Sequence, residues 1–303
     1  MITLTNEFRE KVAQALLAQR DNYDGSDAMF ARRYGIGGAI YSRLKSGERE
    51  GLLQPAKWMS LGRELNVSKN DRKWKAVETE VFRRIREEIL FCKTYSKSRI
   101  FVDNCGIGKT FTAKYLANTE KNVFYLDCTQ CHEWNSFIKA MAKAIGVDVR
   151  GTLDELKAET KYYLNVLPAP VVIIDEAGAL SKKALGLLQE YWNGTEGCCG
   201  WYIMGANALR NKIAEGVMRD RDYFAELFSR FSDKFSSIVP REQNERMEFY
   251  KRLITDVISA NMEDKSKLKE LVRRCLVADD GNISGLRRAE SLLILYNNQA
   301  NEA

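Results

Sequence analysis

Asp103-Asn104-Cys105-Gly106-Ile107-Gly108-Lys109-Thr110 is the stretch on which the fold of this 303-residue chain turns. It follows the β-rich run Arg99–Val102 and opens a helical run that continues to Ala117. A glycine-rich turn between strand and helix presents backbone N–H groups at a helix N-terminus, where the helix dipole favours negative charge. Gly106 and Gly108 suit that turn, Lys109 is placed to reach the β/γ oxygens of a bound triphosphate, and the Thr110 hydroxyl to take a place on Mg²⁺. The expected ligands are ATP and Mg²⁺. Asp103 stands where the G-x-x-x-x-G-K-T pattern has its first glycine, which brings a carboxylate toward the phosphates.

Further along, Pro170-Val171-Val172-Ile173-Ile174-Asp175-Glu176 reads as a buried strand ending in two acids. Carboxylates at the C-terminal edge of a parallel strand sit where open α/β sheets bind ligands. Asp175 is expected to hold Mg²⁺ through water, and Glu176 to orient and polarise the attacking water. The strand-like runs Arg99–Val102, Val123–Leu126, Val171–Ile174, Trp201–Met204 and Ser236–Val239 alternate with helical ones. That alternation predicts an α/β fold with a five-stranded parallel sheet covered by helices. From residue 241 to the C-terminus the apolar positions recur at helical spacing (Phe249, Leu253, Val257; Leu286, Leu293, Tyr296), which predicts a helical lid over 241–303.

Together these residues resemble the AAA+ P-loop ATPases, over roughly residues 75–303. The resemblance implies a polar sensor-1 residue after the Trp201–Met204 strand, matched by Asn207. It implies an arginine finger in a Ser-Arg-Phe phrase, matched by Arg230, with Arg219 and Arg221 as weaker matches. It also implies a sensor-2 arginine at the start of the last lid helix, within Gly281-Asn282-Ile283-Ser284-Gly285-Leu286-Arg287-Arg288. There the Gly-x-x-Arg spacing favours Arg288 over Arg287. A finger acts on the phosphate held by a neighbouring subunit, so a homo-oligomer with ATP at its interfaces follows.

Upstream, residues 71–95 read as one charged amphipathic linking helix (Trp74, Val77, Val81, Ile85, Ile89), leading into the ATPase core over 71–240. Residues 1–70 read as short helices broken at Asn22–Gly25, at Gly35-Ile36-Gly37 and at Lys45-Ser46-Gly47. Within them, residues 26–47 resemble a phage-repressor-type helix-turn-helix. Ala31 packs the helices, Gly35 makes the turn, and Ile36, Ile40 and Leu44 form the buried stripe. The expected DNA contacts are Gly38, Tyr41, Ser42, Arg43 and Lys45. The helix starts Gly37-Gly38-Ala39, too short-armed to read base edges, so duplex DNA is expected to be bound through phosphates and shape.

A net charge of +6, with eleven Lys/Arg against eight Asp/Glu in residues 1–70 and nine against five in 71–100, puts most of the excess where DNA would lie. No apolar run is long enough to span a membrane and the first residues lack a signal-peptide pattern, so a cytoplasmic protein is expected. Seven scattered cysteines read as buried thiols; Cys128, Cys131 and His132 have the spacing of half a zinc site with no second pair. A repressor-like domain ahead of a compact AAA+ module resembles the phage Mu target-DNA activator family, ATPase partners of a DDE transposase. That resemblance implies a filament on DNA that selects a target for the transposase. A replication initiator or helicase loader, and a regulator switched by nucleotide without turnover, are the other readings.

Overall fold

The structure is a computed structural model, and it describes residues 4–21, 23, 25–65, 67, 74–219, 224–276 and 285–302. Five strands, β1 (Ser98–Val102), β2 (Val123–Asp127), β3 (Val171–Asp175), β4 (Gly200–Gly205) and β5 (Phe235–Ser236), form one sheet. Their order is β2-β3-β4-β1-β5 and every pairing is parallel. All residues of β3 and β4 are buried, as a sheet covered on both faces requires. Each Val or Ile so buried contributes roughly 1.5–3 kcal/mol. The chain crosses from β1 to the far edge at β2, steps back through β3 and β4, and reaches β5 on the other side of β1. β1 therefore stands at the switch point, where a crevice opens beyond the strands' carboxyl ends.

Alternation along the strands divides the core in two. Ile100, Val102, Val172, Ile174 and Ile203 pack under α7 (Trp134–Ile145), α8 (Leu153–Val166), α9 (Lys182–Gly194), α10 (Asn207–Met218) and α11 (Phe224–Arg230). Phe101, Ile173, Tyr202 and Met204 face α5 (Glu80–Tyr95) and α6 (Lys109–Thr119). The lid helices α12 (Gln243–Asn261), α13 (Leu268–Leu276) and α14 (Leu286–Glu302) join that second cluster through Phe249, Ile254, Val272 and Leu293. The lid thus shares an apolar core with the sheet.

Two elements differ from the sequence reading. The fifth strand is two residues long, because the N–H groups of Ile238 and Val239 donate to Asp103 Oδ2 at 2.6 and 2.9 Å and cannot join a ladder. The linking helix begins at Glu80, not near 71; Thr79 caps it by accepting from the Phe82 N–H at 3.2 Å, and 74–79 are non-helical. Asn261, at the end of α12, explains this. Its Oδ1 accepts from the Lys75 N–H at 2.6 Å while its Nδ2 donates to the Lys75 carbonyl at 3.2 Å, and a backbone paired on both sides in this way is not free to make helical bonds.

The N-terminal helices α1 (Asn6–Asp21), α2 (Asp27–Arg33), α3 (Gly38–Lys45) and α4 (Pro55–Glu64) enclose their own cluster around Phe30, Ala31, Tyr41, Leu44 and Trp58. The α2–α3 turn closes with the Ile36 N–H donating to the Ala31 carbonyl at 2.8 Å, with Gly35 at φ 60°. This unit rests on the α/β core: the Tyr23 and Tyr163 hydroxyls are 2.6 Å apart, Arg33 Nη2 donates to the Ala144 carbonyl at 2.6 Å, and Lys143 pairs with Glu64 at 3.5 Å. Among the described residues no helix is long and apolar enough to cross a membrane.

Candidate nucleotide site and DNA-facing surface

The loop after β1 enters α6 through two residues that only glycine adopts comfortably, Gly106 at φ 73° and Gly108 at φ 101°. The first N–H groups of a helix have no partner within it, so α6 opens with donors available to an anion. Lys109 is buried, and its Nζ donates to the carbonyls of Asp103 and Asn104 at 2.8 and 2.6 Å. Burial holds this ammonium below its ordinary pKa, against the opposing pull of Cys105, Asp103, Glu176 and Asp175. A phosphate oxygen would replace those carbonyls as the acceptor.

Asp103 does not crowd the phosphates. One carboxylate oxygen accepts from the Asn104 N–H at 2.8 Å and the other from Ile238 and Val239, which ties the segment leading to the lid against the loop. Its φ is not positive, so this position does not require the glycine that the pattern places there. The carboxylate expected beside the phosphates instead accepts from backbone N–H groups.

At the end of β3, Asp175 is 1% exposed; its Oδ2 accepts from the Tyr125 hydroxyl at 3.0 Å and its Oδ1 from the Glu176 N–H at 2.9 Å. Tyr125, on β2, was not legible as a site residue. Burial, then the Asp175 charge, raises its phenol pKa, so it stays a donor and fixes the carboxylate's orientation. Glu176 takes the left-handed conformation at φ 50°, which costs on the order of 1–3 kcal/mol and swings its side chain to line the same cleft as Lys109 and Thr110. The donor set, a hydroxyl at Thr110 and a carboxylate at Asp175, is all oxygen and suits Mg²⁺.

That cleft measures about 400 Å³. The loop gives it a polar lining, and Trp74, Val77, Phe82, Val257 and Leu286 give it an apolar one. A lining of donors beside an apolar wall fits a phosphate chain carrying a planar base. The wall residues before α5 escaped the sequence reading because Trp74 and Val77 fit the apolar spacing of a helix. The lid touches the loop directly: the Leu286 N–H donates to the Gly106 carbonyl at 2.7 Å, and a Cβ on Gly285 would meet that oxygen at 2.4 Å. This contact places the two sensor-2 candidates differently. With α14 starting at Leu286, Arg287 lines the cleft, whereas Arg288 Nε donates to the Arg274 carbonyl at 3.2 Å. Gly281–Ser284 lie outside the described residues.

Asn207 opens α10 just after β4 and is exposed in a groove with Asp103, Asn104 and Tyr250, and it does not line the Lys109–Glu176 cleft. Arg230 ends α11 away from the cleft. Its Nε donates to Asn193 Oδ1 at 2.8 Å, its Nη1 to the Glu226 carbonyl at 3.0 Å, and its guanidinium lies 5.3 Å from the Trp192 ring centroid. Arg219 pairs with Glu215 at 2.9 Å, and Arg221 lies outside the described residues. Among the cysteines Cys105 and Cys198 are exposed, contrary to the expectation of buried thiols; Cys128 and Cys131 are buried.

On the N-terminal unit, Gly38, Ser42, Arg43 and Lys45 are exposed along α3. Tyr41 is a correction: it is 1% exposed, packed with its ring 5.5 Å from that of Phe30, and cannot touch DNA. Tyr41 and Leu44 form the buried stripe of α3, while Ile40 is only half-buried. Arg43 pairs with Glu48 at 2.7 Å and Lys45 with Asp27 at 3.2 Å. Such exposed pairs exchange readily for phosphate contacts. The start of α3 faces a groove of about 600 Å³ whose other side carries Lys143 and Arg150 of the core.

Comparison with known proteins bears on this site. No curated protein sequence matches the chain. Among solved structures 31 chains do. One is the Aeropyrum pernix ORC1 protein in complex with DNA, at TM-score 0.55 and 14% identity, covering 76% of this chain and 62% of that one, so the chain spans less than two thirds of its length. Another is NtrX from Brucella abortus, at TM-score 0.41 and 12% identity, covering 94% and 68%, a likeness too loose to argue from. The family described as AAA domain matches residues 100–213, the span that runs from β1 through the loop, Asp175 and Glu176 into α10. The α/β module built on the five-stranded parallel sheet has the fold of a P-loop AAA+ core and matches the AAA domain family over residues 100–213.

Proposed function

We propose that this chain is an ATP-dependent AAA+ ATPase that assembles on duplex DNA with little sequence preference and serves as target selector and activator for a transposase. The observation that carries the ATPase half is the placement of Lys109, Thr110 and Glu176 around one cleft at the sheet's switch point. In that cleft the N–H groups from Gly106 to Thr110 hold the phosphates and Lys109 neutralises the β/γ oxygens. Thr110 and Asp175 would hold Mg²⁺, which would supply positive charge beside the phosphates. Glu176 orients the water, and Arg287 reaches the phosphates from the lid.

Arg230 is the finger offered to the next subunit along the DNA. Its fixed position on Trp192 and Asn193 supports that role, because an arginine held rigidly at a surface loses little freedom on meeting a phosphate. DNA lies along the exposed face of α3, contacted by Ser42, Arg43 and Lys45. A replication initiator or helicase loader is the second reading, taking its support from the ORC1 protein of like fold, whose structure is of a complex with DNA. Dependence of activity on a transposase or on a helicase separates the two.

The test is ATP turnover with and without random-sequence duplex, the same samples being imaged. Turnover that rises with duplex, together with ATP-dependent filaments, supports the proposal. ATP binding with no turnover under either condition makes the chain a nucleotide-switched DNA-binding regulator.

A further inference from the structure

Lys212 lies on α10, five residues after Asn207, and touches no part of the nucleotide cleft. Its Nζ donates to two backbone carbonyls, those of Gly178 and Leu180, each at 2.6 Å. Both belong to the turn that follows Glu176. The turn is tight: Glu176 stands at φ 50°, the Ala179 N–H donates back to the Glu176 carbonyl at 2.8 Å, and the Leu180 N–H to the Ala177 carbonyl at 3.2 Å. Carbonyls at the end of such a helical turn lack intrahelical partners, and a lysine ammonium is a strong donor to satisfy them.

The packing beneath the turn leaves it no freedom on that side. A Cβ on Gly178 would stand 3.0 Å from the Leu209 backbone nitrogen and 3.3 Å from the Ala208 Cβ, so α10 meets the turn backbone to backbone. From the opposite side the Ser181 N–H donates to the His132 carbonyl at 2.9 Å. The turn is therefore clamped between the loop after β2 and the helix that begins with Asn207. Burial, with Lys182 nearby, lowers the Lys212 pKa, as befits a charge committed to backbone oxygens and not to a carboxylate.

We propose that Lys212 is a positioning residue for Glu176: by holding the Gly178 and Leu180 carbonyls it fixes the strained turn that aims the Glu176 carboxylate into the cleft, and it ties that aim to α10. This rests on the reading of Glu176 as the group that orients the attacking water. The clamp acts on hydrolysis and not on ATP affinity, since no atom of Lys212 lines the cleft. A displacement of about 1 Å in such a group lowers a rate by up to roughly a hundredfold.

The experiment is a double-mutant cycle on the full chain, with ATP turnover and equilibrium ATP binding measured for wild type, Lys212→Met, Glu176→Gln and the double variant. Lys212→Met is expected to lower kcat by about tenfold to a hundredfold, leave ATP affinity within about threefold, and add nothing further in the Glu176→Gln background. Lys212→Arg, which keeps a donor to both carbonyls, is expected to recover part of kcat. If Glu176→Gln turns over like wild type, the reading of Glu176 fails and the proposal with it. If Glu176→Gln is slow while Lys212→Met keeps wild-type kcat, or if the two losses multiply, the positioning role is overturned and the reading of Glu176 stands. A Lys212→Met protein that loses ATP affinity and melting temperature together with kcat, with no recovery in Lys212→Arg, also overturns it, since that is the signature of general damage to the fold.

Discussion

Two buried tyrosines show how differently the two parts of this molecule are built. Tyr202, on β4 in the α/β core, donates to Glu88 Oε2 at 2.9 Å. The same carboxylate takes Arg84 at 2.9 Å and the Ser236 hydroxyl, so α5, β4 and β5 are joined at one buried group. Tyr41, on α3 of the N-terminal unit, is equally buried, yet its hydroxyl has no hydrogen-bond partner among the described residues. The unit is held by rings instead: Phe30 meets Tyr23, Tyr34 and Tyr41 at centroid distances of 5.0–5.5 Å. Hydrogen-bonded networks fix directions, which a phosphate site needs. Ring packing fixes only a shape, and a shape with an exposed polar face suffices to lie on a DNA backbone.

The largest effect that could break this contrast is at Lys109. Lys109→Ala is expected to abolish ATP binding measured by calorimetry, and with it any ATP-dependent gain in DNA affinity, because the phosphates lose their buried cation. The N-terminal unit should keep its nucleotide-independent affinity; if that is lost as well, the two regions are not separable. Next in size is Glu88→Ala. It strands the buried Tyr202 hydroxyl, so denaturant unfolding should show a loss of about 1–3 kcal/mol.

Smaller still is Arg43→Ala, which removes one of the phosphate contacts proposed for α3. The log–log dependence of DNA affinity on salt should become shallower by about one unit, equally on unrelated duplexes. A loss confined to one sequence would show that α3 reads bases. The smallest effect belongs to Tyr41→Phe. Removing a hydroxyl that has no partner should leave stability within about 1 kcal/mol and DNA affinity unchanged. Burial pushes the Tyr41 phenol from 10.0 up to about 12, so its contribution is complete below pH 10 and is lost as pH rises toward 12. Melting curves of wild type and Tyr41→Phe should therefore coincide below pH 10 and diverge above it, the variant being the more stable.

What could be read from the sequence follows the same division. Four strands were legible to within two residues at either end, because runs such as Val171-Val172-Ile173-Ile174 can only be satisfied between two helical layers. The sequence singles out Lys109, Thr110, Asp175 and Glu176 because phosphate chemistry needs those residue types at those places, and the structure brings Lys109, Thr110 and Glu176 to one cleft. Features that depend on partners distant in sequence were not legible. The spacing of Trp74, Val77 and Val81 fits a helix, and only the pairing of Lys75 with Asn261 shows why residues 74–79 are not helical. Arg287 and Arg288 differ by one step of a helix, and the close approach of Gly285 to Gly106 decides which faces the cleft. Tyr41 and Ile40 are likewise one residue apart, and ring packing against Phe30 chose Tyr41 for the interior.

The central claim is that the cleft between Lys109 and Glu176 binds ATP and turns it over. It is tested most directly by measuring ATP affinity and steady-state hydrolysis, side by side, for wild type and Glu176→Gln in the presence of Mg²⁺ and duplex DNA. A carboxylate that activates water contributes typically about 10²–10⁴-fold. The account predicts affinities within about threefold of each other and turnover in Glu176→Gln reduced by about a hundredfold or more. Equal turnover by the two proteins, at equal affinity, would contradict it.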